Sequence, residues 1–212
     1  MQWNAVHLGA PFLLGFLLGS IPFGLLLTRA AGLGDIRSIG SGNIGATNVL
    51  RTGNKKLAAA VLLLDALKGV AAVLLSATLG PLAAVAAALG AVLGHMFTPW
   101  LRFKGGKGVA TTFGVLWGLN WMLGAAACLL WLLFAFLFRY SSLAALISVA
   151  LAAALSWFLL DWRAAAIVTL IVPLIFLRHH ENIARLLAGT ESRIGQKAGD
   201  PAMTGHNGGP SL

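Results

Sequence analysis

Glycines and small polar residues crowd one stretch of the chain, GSGNIGATNVLR, at residues 40–51. Glycine lets backbone N–H groups come close to a ligand and permits the turns that such a cradle needs. The hydroxyl and amide side chains add neutral donors, and the terminal arginine adds a planar cation suited to a phosphate. The pattern predicts an anion-binding segment, although a solvated loop with capping residues is the alternative. Its candidate binding residues are Ser41, Gly42, Asn43, Gly45, Thr47, Asn48 and Arg51.

A second stretch, RFKGGKGVATT at residues 102–112, again places glycines among cations. Its spacing is not that of a P-loop, G-x-x-x-x-G-K-[ST]. A hinge between two spans is the alternative, but two lysines inside the loop favour phosphate binding. The candidate binding residues are Lys104, Gly105, Gly106, Lys107 and Gly108.

A third stretch, RHHENIARLLAGTE at residues 178–191, has the spacing of an amphipathic helix. His179 and Asn182 are three residues apart and therefore share a helix face. An interfacial helix would hold the histidine at the membrane surface, where it can exchange a proton near neutral pH. Ser142, at the start of a later span, is a weaker candidate, because it could be only a helix cap.

Two charges lie inside an apolar run, Asp65 and Lys68 in LLLDALKGVAA. Each costs roughly 2.5–3.5 kcal/mol near the bilayer centre, and their spacing lets them pair on one helix face. A structural ion pair is predicted, with a proton relay as the alternative. His95, which ends another span, is expected to pack at the interface.

The sequence lacks the signatures of several other sites. Neither His95 nor His179 begins an H-x-x-x-x-D pattern, which disfavours the acyltransferase class built on that pair. The single cysteine, Cys128, can form no internal disulfide. No His, Asp or Glu cluster indicates a metal site, so we expect neither a metal nor a cofactor.

The elements that carry these residues are apolar. Hydrophobic residues make up 58% of the chain and charged residues 10%, whereas a soluble domain carries about 25% charged residues. Crossing a bilayer takes roughly 20 apolar residues. We predict an all-α membrane protein, a bundle of about seven transmembrane helices with one short or re-entrant and with cytoplasmic Gly-rich loops. The apolar segments lie at 6–28, 57–79, 81–98, 109–119, 121–138, 142–160 and 164–178.

The stretch 109–138 is ambiguous, because it could form one long helix or two helices that turn at residues 118–120. The net charge is +9. With seven segments and the N-terminus outside, thirteen of the fifteen Lys and Arg lie in cytoplasmic loops, Arg163 outside and Lys68 in a span. Basic residues favour the cytoplasmic side. This distribution favours two helices, and every polar motif then faces the same compartment.

These stretches and one further stretch resemble a known family, the bacterial integral-membrane glycerol-3-phosphate acyltransferases of the PlsY type, which use acyl phosphate as donor. The resemblance covers residues 15–195. It implies seven helices in the bacterial inner membrane, an external N-terminus and a cytoplasmic active site. The stretches, in family order, are GSIPFG at 19–24, GSGNIGATNVLR at 40–51, LLDALKG at 63–69, GHMFTPWLRFKGGKGVAT at 94–111 and HHENIARLLAGTE at 179–191.

The resemblance implies transfer of a fatty acyl group to the sn-1 hydroxyl of glycerol 3-phosphate, giving lysophosphatidic acid and phosphate. This would be the first acylation step of bacterial phospholipid synthesis. The expected partners are acyl phosphate, glycerol 3-phosphate and membrane lipid, with no nucleic acid. Either His179 or a substrate phosphate takes the hydroxyl proton. The expected catalytic residues are Ser41, Ser142, His179 and Asn182.

Other classes are less consistent with the pattern. A transporter of a phosphorylated metabolite would place its site near the midplane between repeated halves, but no repeat is visible. A membrane scaffold would need none of these motifs. We expect a membrane domain over residues 1–195 and a disordered cytoplasmic tail over 196–212. The sequence leaves acyl-chain preference and oligomeric state open, and a monomer is compatible with it.

Overall fold

The structure is a computed structural model that describes residues 5–196, with side chains from residue 8 onward. All regular structure within this range is helical, which confirms the all-α prediction. The expected tail of 196–212 lies outside the described residues, apart from Gln196. The helices are α1 (Ala5–Gly19), α2 (Phe23–Ala30), α3 (Ala46–Leu50), α4 (Lys55–Ala77), α5 (Pro81–Met96), α6 (Val109–Leu119), α7 (Trp121–Phe138), α8 (Ser141–Leu159), α9 (Trp162–Arg178) and α10 (His180–Leu187).

Five helical stretches of the described chain are long and apolar enough to cross a membrane. A sixth is added if α9 and α10, which meet at an angle of 62°, form one broken span. Helix α6 is apolar but shorter, so the count of seven stays a prediction. The five stretches are Leu8–Ala30, Lys55–Ala77, Pro81–Leu101, Trp121–Phe138 and Ser141–Leu159.

Asn120 separates α6 from α7, so the prediction of two helices over 109–138 is confirmed. Its side-chain oxygen accepts hydrogen bonds from the N–H groups of Met122 (2.9 Å) and Leu123 (3.3 Å). A side chain that caps a helix start in this way satisfies donors that have no partner inside the helix. Gly124 then packs against Trp117, so α7 turns back along α6.

The first apolar segment, 6–28, is divided by a break between α1 and α2. Pro22 has no N–H to continue the helical ladder and disfavours a helical conformation at Ile21 before it. At the break, the carbonyl of Ile21 accepts hydrogen bonds from the N–H of Phe23 (3.1 Å) and from the side chain of Lys68 (2.8 Å). Irregular backbone at membrane depth requires such a partner from the protein.

The helices pack closely wherever glycines meet a neighbouring backbone. A methyl group built on Gly15, Gly19 or Gly90 would lie 2.0–2.1 Å from a backbone oxygen of the facing helix, because α1 and α5 are in direct contact. Gly69 and Gly114 make the same kind of contact between α4 and α6. Lipid supplies no hydrophobic driving force between helices, so such close packing stabilises the bundle.

We predict that Gly90→Ala destabilises the bundle. Its new methyl group would lie 2.1 Å from the carbonyl oxygen of Phe12, so α1 and α5 must separate. Overpacking of this kind typically costs about 1–3 kcal/mol. The apparent unfolding midpoint in detergent should fall, whereas Gly9→Ala, which adds a methyl with no atom within 4 Å inside the same helix α1, should not lower it. Equal midpoints for the two variants would contradict the packing account.

Candidate active site

The glycine segment at 40–51 is shaped by one buried amide, that of Asn48. Its nitrogen donates to the carbonyl oxygens of Ile36 (3.0 Å), Ile39 (2.9 Å) and Asn43 (2.9 Å). Its oxygen accepts from the N–H of Ser41 at 3.0 Å. Both ends of the amide are therefore occupied inside the protein. Asn48 therefore holds the loop in shape. Its amide, predicted to bind a ligand, makes these contacts within the protein instead.

The same segment is tied to distant parts of the chain through two side chains. The hydroxyl of Thr47 lies 3.1 Å from that of Ser141, at the start of α8. The guanidinium of Arg51 donates to the hydroxyl of Ser192, beyond α10. The first contact joins the segment to α8, and the second joins it to the residues that directly follow the third predicted motif.

The glycine loop, which we define as residues 102–108, is fastened by its backbone. The N–H groups of Gly105 and Gly106 donate to the carbonyl oxygens of Met96 (3.1 Å) and His95 (3.0 Å) at the end of α5. Their own carbonyl oxygens accept from Arg178, at 2.7 Å and 3.2 Å respectively. A side chain at Gly105 would lie 2.1 Å from the His95 oxygen, so the contact requires glycine.

The free donors of this loop lie further along, where it enters α6. Gly108 has a φ of +86°, which favours glycine, and it precedes the first turn of the helix. Within residues 5–196, no hydrogen bond occupies the N–H groups of residues 107–111. Such a helix start attracts anions. The N–H groups of Gly105 and Gly106, predicted to bind phosphate, thus hold the loop on α5. The N–H groups that can bind a ligand are those of residues 107–111.

Glu191 joins three parts of the chain at this end of the bundle. Its carboxylate accepts hydrogen bonds from Ser142 (2.7 Å) and Asn182 (2.6 Å) on one oxygen and from Arg185 (2.7 Å) on the other. Burial raises the pKa of this carboxyl, but the hydrogen bonds outweigh burial and hold the pKa below its ordinary value. Glu191 is therefore ionised at neutral pH and fixes the positions of Ser142 and Asn182.

Lys107 connects the glycine loop to this group. Its ammonium donates to the side-chain oxygen of Asn182. Burial, followed by the positive charge of Arg185, lowers the pKa of Lys107 to about 8. Lys107 is thus mainly protonated at pH 7 but loses its charge within the range that an assay can reach. Lys104, by contrast, is exposed at the rim of the site.

His179 sits at the bend between α9 and α10 and is only 3% exposed. Burial is the main reason that its pKa is lowered to about 4, so the ring is neutral at pH 7. Nδ1 lies 2.8 Å from the carbonyl oxygen of Ile175 and must carry the proton to donate to it. The lone pair is then on Nε2, which is the arrangement of a general base.

The predicted polar segments thus meet at one end of the bundle. Contacts between Arg51 and Ser192 and between Lys107 and Asn182 join them directly. The predicted ion pair also forms, with Lys68 Nζ 2.6 Å from Asp65 Oδ1, but below the loops rather than among them. The exposed or half-buried members of the predicted set are Ser41, Gly42, Asn43, Gly45, Thr47, Arg51, Lys104, Gly105 and Lys107.

Arg178 was missed in the sequence as a functional residue. In the sequence it is one of the thirteen basic residues assigned to cytoplasmic loops, whereas in the structure its side chain donates to the carbonyl oxygens of Gly105 and Gly106. Its place directly before His179 was the only available signal. His95, expected to pack at the interface, is buried and contacts that loop from below.

The family model described as glycerol-3-phosphate acyltransferase matches residues 10–189. The glycerol-3-phosphate acyltransferase of Mesorhizobium japonicum is 62% identical over 183 residues, covering 86% of this chain and 94% of that protein. The enzymes of Agrobacterium fabrum and Brucella ovis are 60% and 55% identical, over 87% and 92% of this chain and 91% and 96% of those proteins.

Two solved structures are similar to the whole fold. Both are crystal structures of PlsY (YgiH), an integral membrane glycerol 3-phosphate acyltransferase, one in a glycerol 3-phosphate form and one in a lysophosphatidic acid form. Their TM-scores are 0.84 and 0.80 at 36% identity, covering 89% of this chain and 96% and 95% of theirs. These similarities confirm the resemblance seen in the sequence and show that this chain belongs to the PlsY-type glycerol-3-phosphate acyltransferase family.

Proposed function

We propose that the protein transfers a fatty acyl group from acyl phosphate to the sn-1 hydroxyl of glycerol 3-phosphate, releasing lysophosphatidic acid and phosphate. The observation that carries this proposal is the meeting of two cationic, glycine-rich loops beside His179, Asn182 and Glu191 at one end of an apolar bundle. Two phosphate groups can be held at such an end while an acyl chain stays among the helices.

The reaction needs little covalent chemistry from the protein. The hydroxyl oxygen attacks the acyl carbonyl carbon, the bond from that carbon to the phosphate oxygen breaks, and phosphate leaves with the bonding electrons. Acyl phosphate is a mixed anhydride and is already activated. The protein therefore acts mainly by positioning the two substrates and by stabilising developing negative charge.

In the proposal, the glycine segment at 40–51 binds the acyl-phosphate group. Ser41, Asn43 and Thr47 donate from their side chains, and the backbone at Gly42 and Gly45 allows close approach. Arg51 adds a positive charge. Asn48 keeps the loop in the shape that its hydrogen bonds define.

Glycerol 3-phosphate binds at the glycine loop in the proposal. Its phosphate meets Lys104, Lys107 and the unoccupied N–H groups at the start of α6, while Gly105 and Gly106 hold the loop in place. Lys107 lies between this phosphate site and Asn182, so the sn-1 hydroxyl would be directed towards the centre that Glu191 organises.

Two groups can take the hydroxyl proton. His179 is neutral and presents Nε2, and geometry of this kind contributes about 10²–10⁴-fold in general base catalysis. A phosphate oxygen of the substrate is the alternative acceptor. In either case Asn182 and Ser142, fixed by Glu191, complete the centre.

We further propose that this end of the bundle faces the cytoplasm of a bacterium, with the N-terminus outside. The three connections at the opposite end of the bundle lie near residues 80, 120 and 161–163. They carry few charges, and Arg163 is the basic residue among them. Basic loops remain on the cytoplasmic side of membranes. The lysophosphatidic acid product then enters the inner leaflet for phospholipid synthesis.

We predict that Ser41→Ala, Lys104→Ala and His179→Ala each lower turnover by about 100-fold or more, the scale of a lost catalytic group. Purified protein would be given acyl phosphate and glycerol 3-phosphate, and released phosphate would be followed. The exposed neighbour His180 provides a matched control, because His180→Ala should retain activity. Acyl-CoA and acyl carrier protein donors are tested in parallel, and turnover with these donors alone would refute the proposed donor.

We predict that kcat/KM for glycerol 3-phosphate falls as pH rises above about 8, because Lys107 then loses the charge that binds phosphate. This parameter reports groups of the free enzyme. In Lys107→Arg the fall should move to higher pH, since arginine stays protonated. The same fall in both proteins, measured between roughly pH 6.5 and 9.5 around that pKa, would assign it to another group.

We predict that both glycine-rich loops are reached from the cytoplasm. Cys128 is the single cysteine, so Cys128→Ser gives a background for the exposed probes Ser38→Cys, Arg102→Cys and Arg163→Cys. An impermeant maleimide should label only the probe at 163 in intact spheroplasts and all three in broken membranes. Labelling of the probes at 38 and 102 from opposite sides would refute the common site.

A further inference from the structure

Three titratable side chains that the proposed mechanism does not use lie beneath the glycine loop. They are Asp65 and Lys68 on α4 and His95 near the end of α5, each no more than 4% exposed. Lys68 Nζ lies 2.6 Å from Asp65 Oδ1, and His95 Nδ1 lies 3.6 Å from the same oxygen. Asp65 thus faces a cation on one side and an imidazole on the other.

Stability alone is a poor reason for this cluster. Charges inside a membrane protein are costly, and replacing a buried ion pair by apolar residues of similar size is often neutral or stabilising. The surrounding core of α4, α5 and α6 is built from Ala, Val, Leu, Met and Phe, which pack without such groups. A functional reason is therefore to be sought in what the cluster contacts.

Above the cluster, His95 holds the glycine loop in two ways. Its carbonyl oxygen accepts a hydrogen bond of 3.0 Å from the N–H of Gly106. Its ring lies directly against the same residue, because a methyl group built on Gly106 would be 2.1 Å from His95 Nε2. The orientation of the imidazole, which Asp65 faces at Nδ1, therefore determines how closely the loop can sit on α5.

Beside the cluster, Lys68 holds the break between α1 and α2. Its ammonium donates to the carbonyl of Ile21 at 2.8 Å. The preceding residue, Ser20, accepts hydrogen bonds from Thr98 (2.6 Å, to its carbonyl) and from Trp100 (3.0 Å, to its hydroxyl). Thr98 and Trp100 lead directly into the glycine loop. The cluster therefore contacts this loop from below and, through the break, from its N-terminal side.

We propose that Asp65, Lys68 and His95 are positioning residues that set the height and direction of the glycine loop, and with it the N–H groups that bind the phosphate of glycerol 3-phosphate. Asp65 orients the ring of His95, and this ring supports Gly106. Lys68 fixes the helix break, which supports the N-terminal side of the glycine loop through Thr98 and Trp100. The inference rests on the proposed function, because it takes the loop to be the glycerol 3-phosphate site.

The test is a split between kinetic parameters. Asp65→Asn and His95→Ala should raise KM for glycerol 3-phosphate about tenfold or more, while KM for acyl phosphate stays within about twofold, since the glycine segment at 40–51 is not touched. His95→Asn, which keeps a group facing Asp65, should recover most of the loss. Ser76→Ala removes a buried hydroxyl from the same helix α4 and should change neither KM.

A double variant separates positioning from stability. Asp65→Leu combined with Lys68→Met removes both charges, so no buried charge is left unpaired. The protein should still fold, with an unfolding midpoint lowered only by the lost hydrogen bond to the Ile21 carbonyl, which keeps the N–H of Phe23 at 3.1 Å, and KM for glycerol 3-phosphate should rise. An unchanged KM in this variant, or an equal rise in KM for both substrates in the single variants, would overturn the inference. If the double variant does not fold, Asp65→Asn, which keeps size and polarity, decides the question through the same comparison of the two KM values.

The controls distinguish this failure from a failure of the proposed function. Wild-type protein and Ser76→Ala must transfer the acyl group from acyl phosphate to glycerol 3-phosphate. If they do not, the proposed reaction is wrong and the inference about its loop falls with it. If they do and the cluster variants show no selective rise in KM, the inference alone is wrong.

Discussion

The structure depends on one constraint: hydrocarbon offers no hydrogen-bond partner, so every backbone group within the membrane must find one in the protein. The chain meets this demand with helices, and it places charged side chains where the helices stop. Lys68 donates to the carbonyl of Ile21 at the break between α1 and α2, and Arg178 donates to the carbonyls of Gly105 and Gly106 in the glycine loop. At both places a cation supports irregular backbone.

The same principle accounts for the electrostatics of the site. Several cations converge at one end of the bundle, and Glu191 is the carboxylate among them that joins Ser142, Asn182 and Arg185. Together, Glu191 and the nearby Glu181 do not neutralise this group, which includes Arg51, Lys107, Arg178 and Arg185, so the site attracts anions. Burial next to these cations keeps His179 uncharged. An environment that favours phosphate therefore also favours a histidine with a free lone pair.

Much of the fold was predictable from the sequence, because membrane helices are recognised by the length and apolar composition of their segments. Asn120 marked the turn between α6 and α7, and the distribution of Lys and Arg favoured it. The meeting of the polar segments could be inferred only through sidedness and family resemblance. Two sets of hydrogen bonds could not be predicted, those from the Asn48 amide to its own loop and those from Arg178 to the glycine loop. They join residues that are distant in sequence and have no local pattern.

The polar site lies at the end of an apolar helix bundle, and this arrangement affects how substrates and products reach and leave it. In the proposed reaction, glycerol 3-phosphate and the released phosphate diffuse through water, whereas donor and product move sideways within one leaflet. Lifting a fatty chain into water costs about 0.8 kcal/mol for each methylene group. An enzyme whose reacting centre lies level with the lipid headgroups avoids that cost, because its lipid substrate and product diffuse only laterally in the membrane.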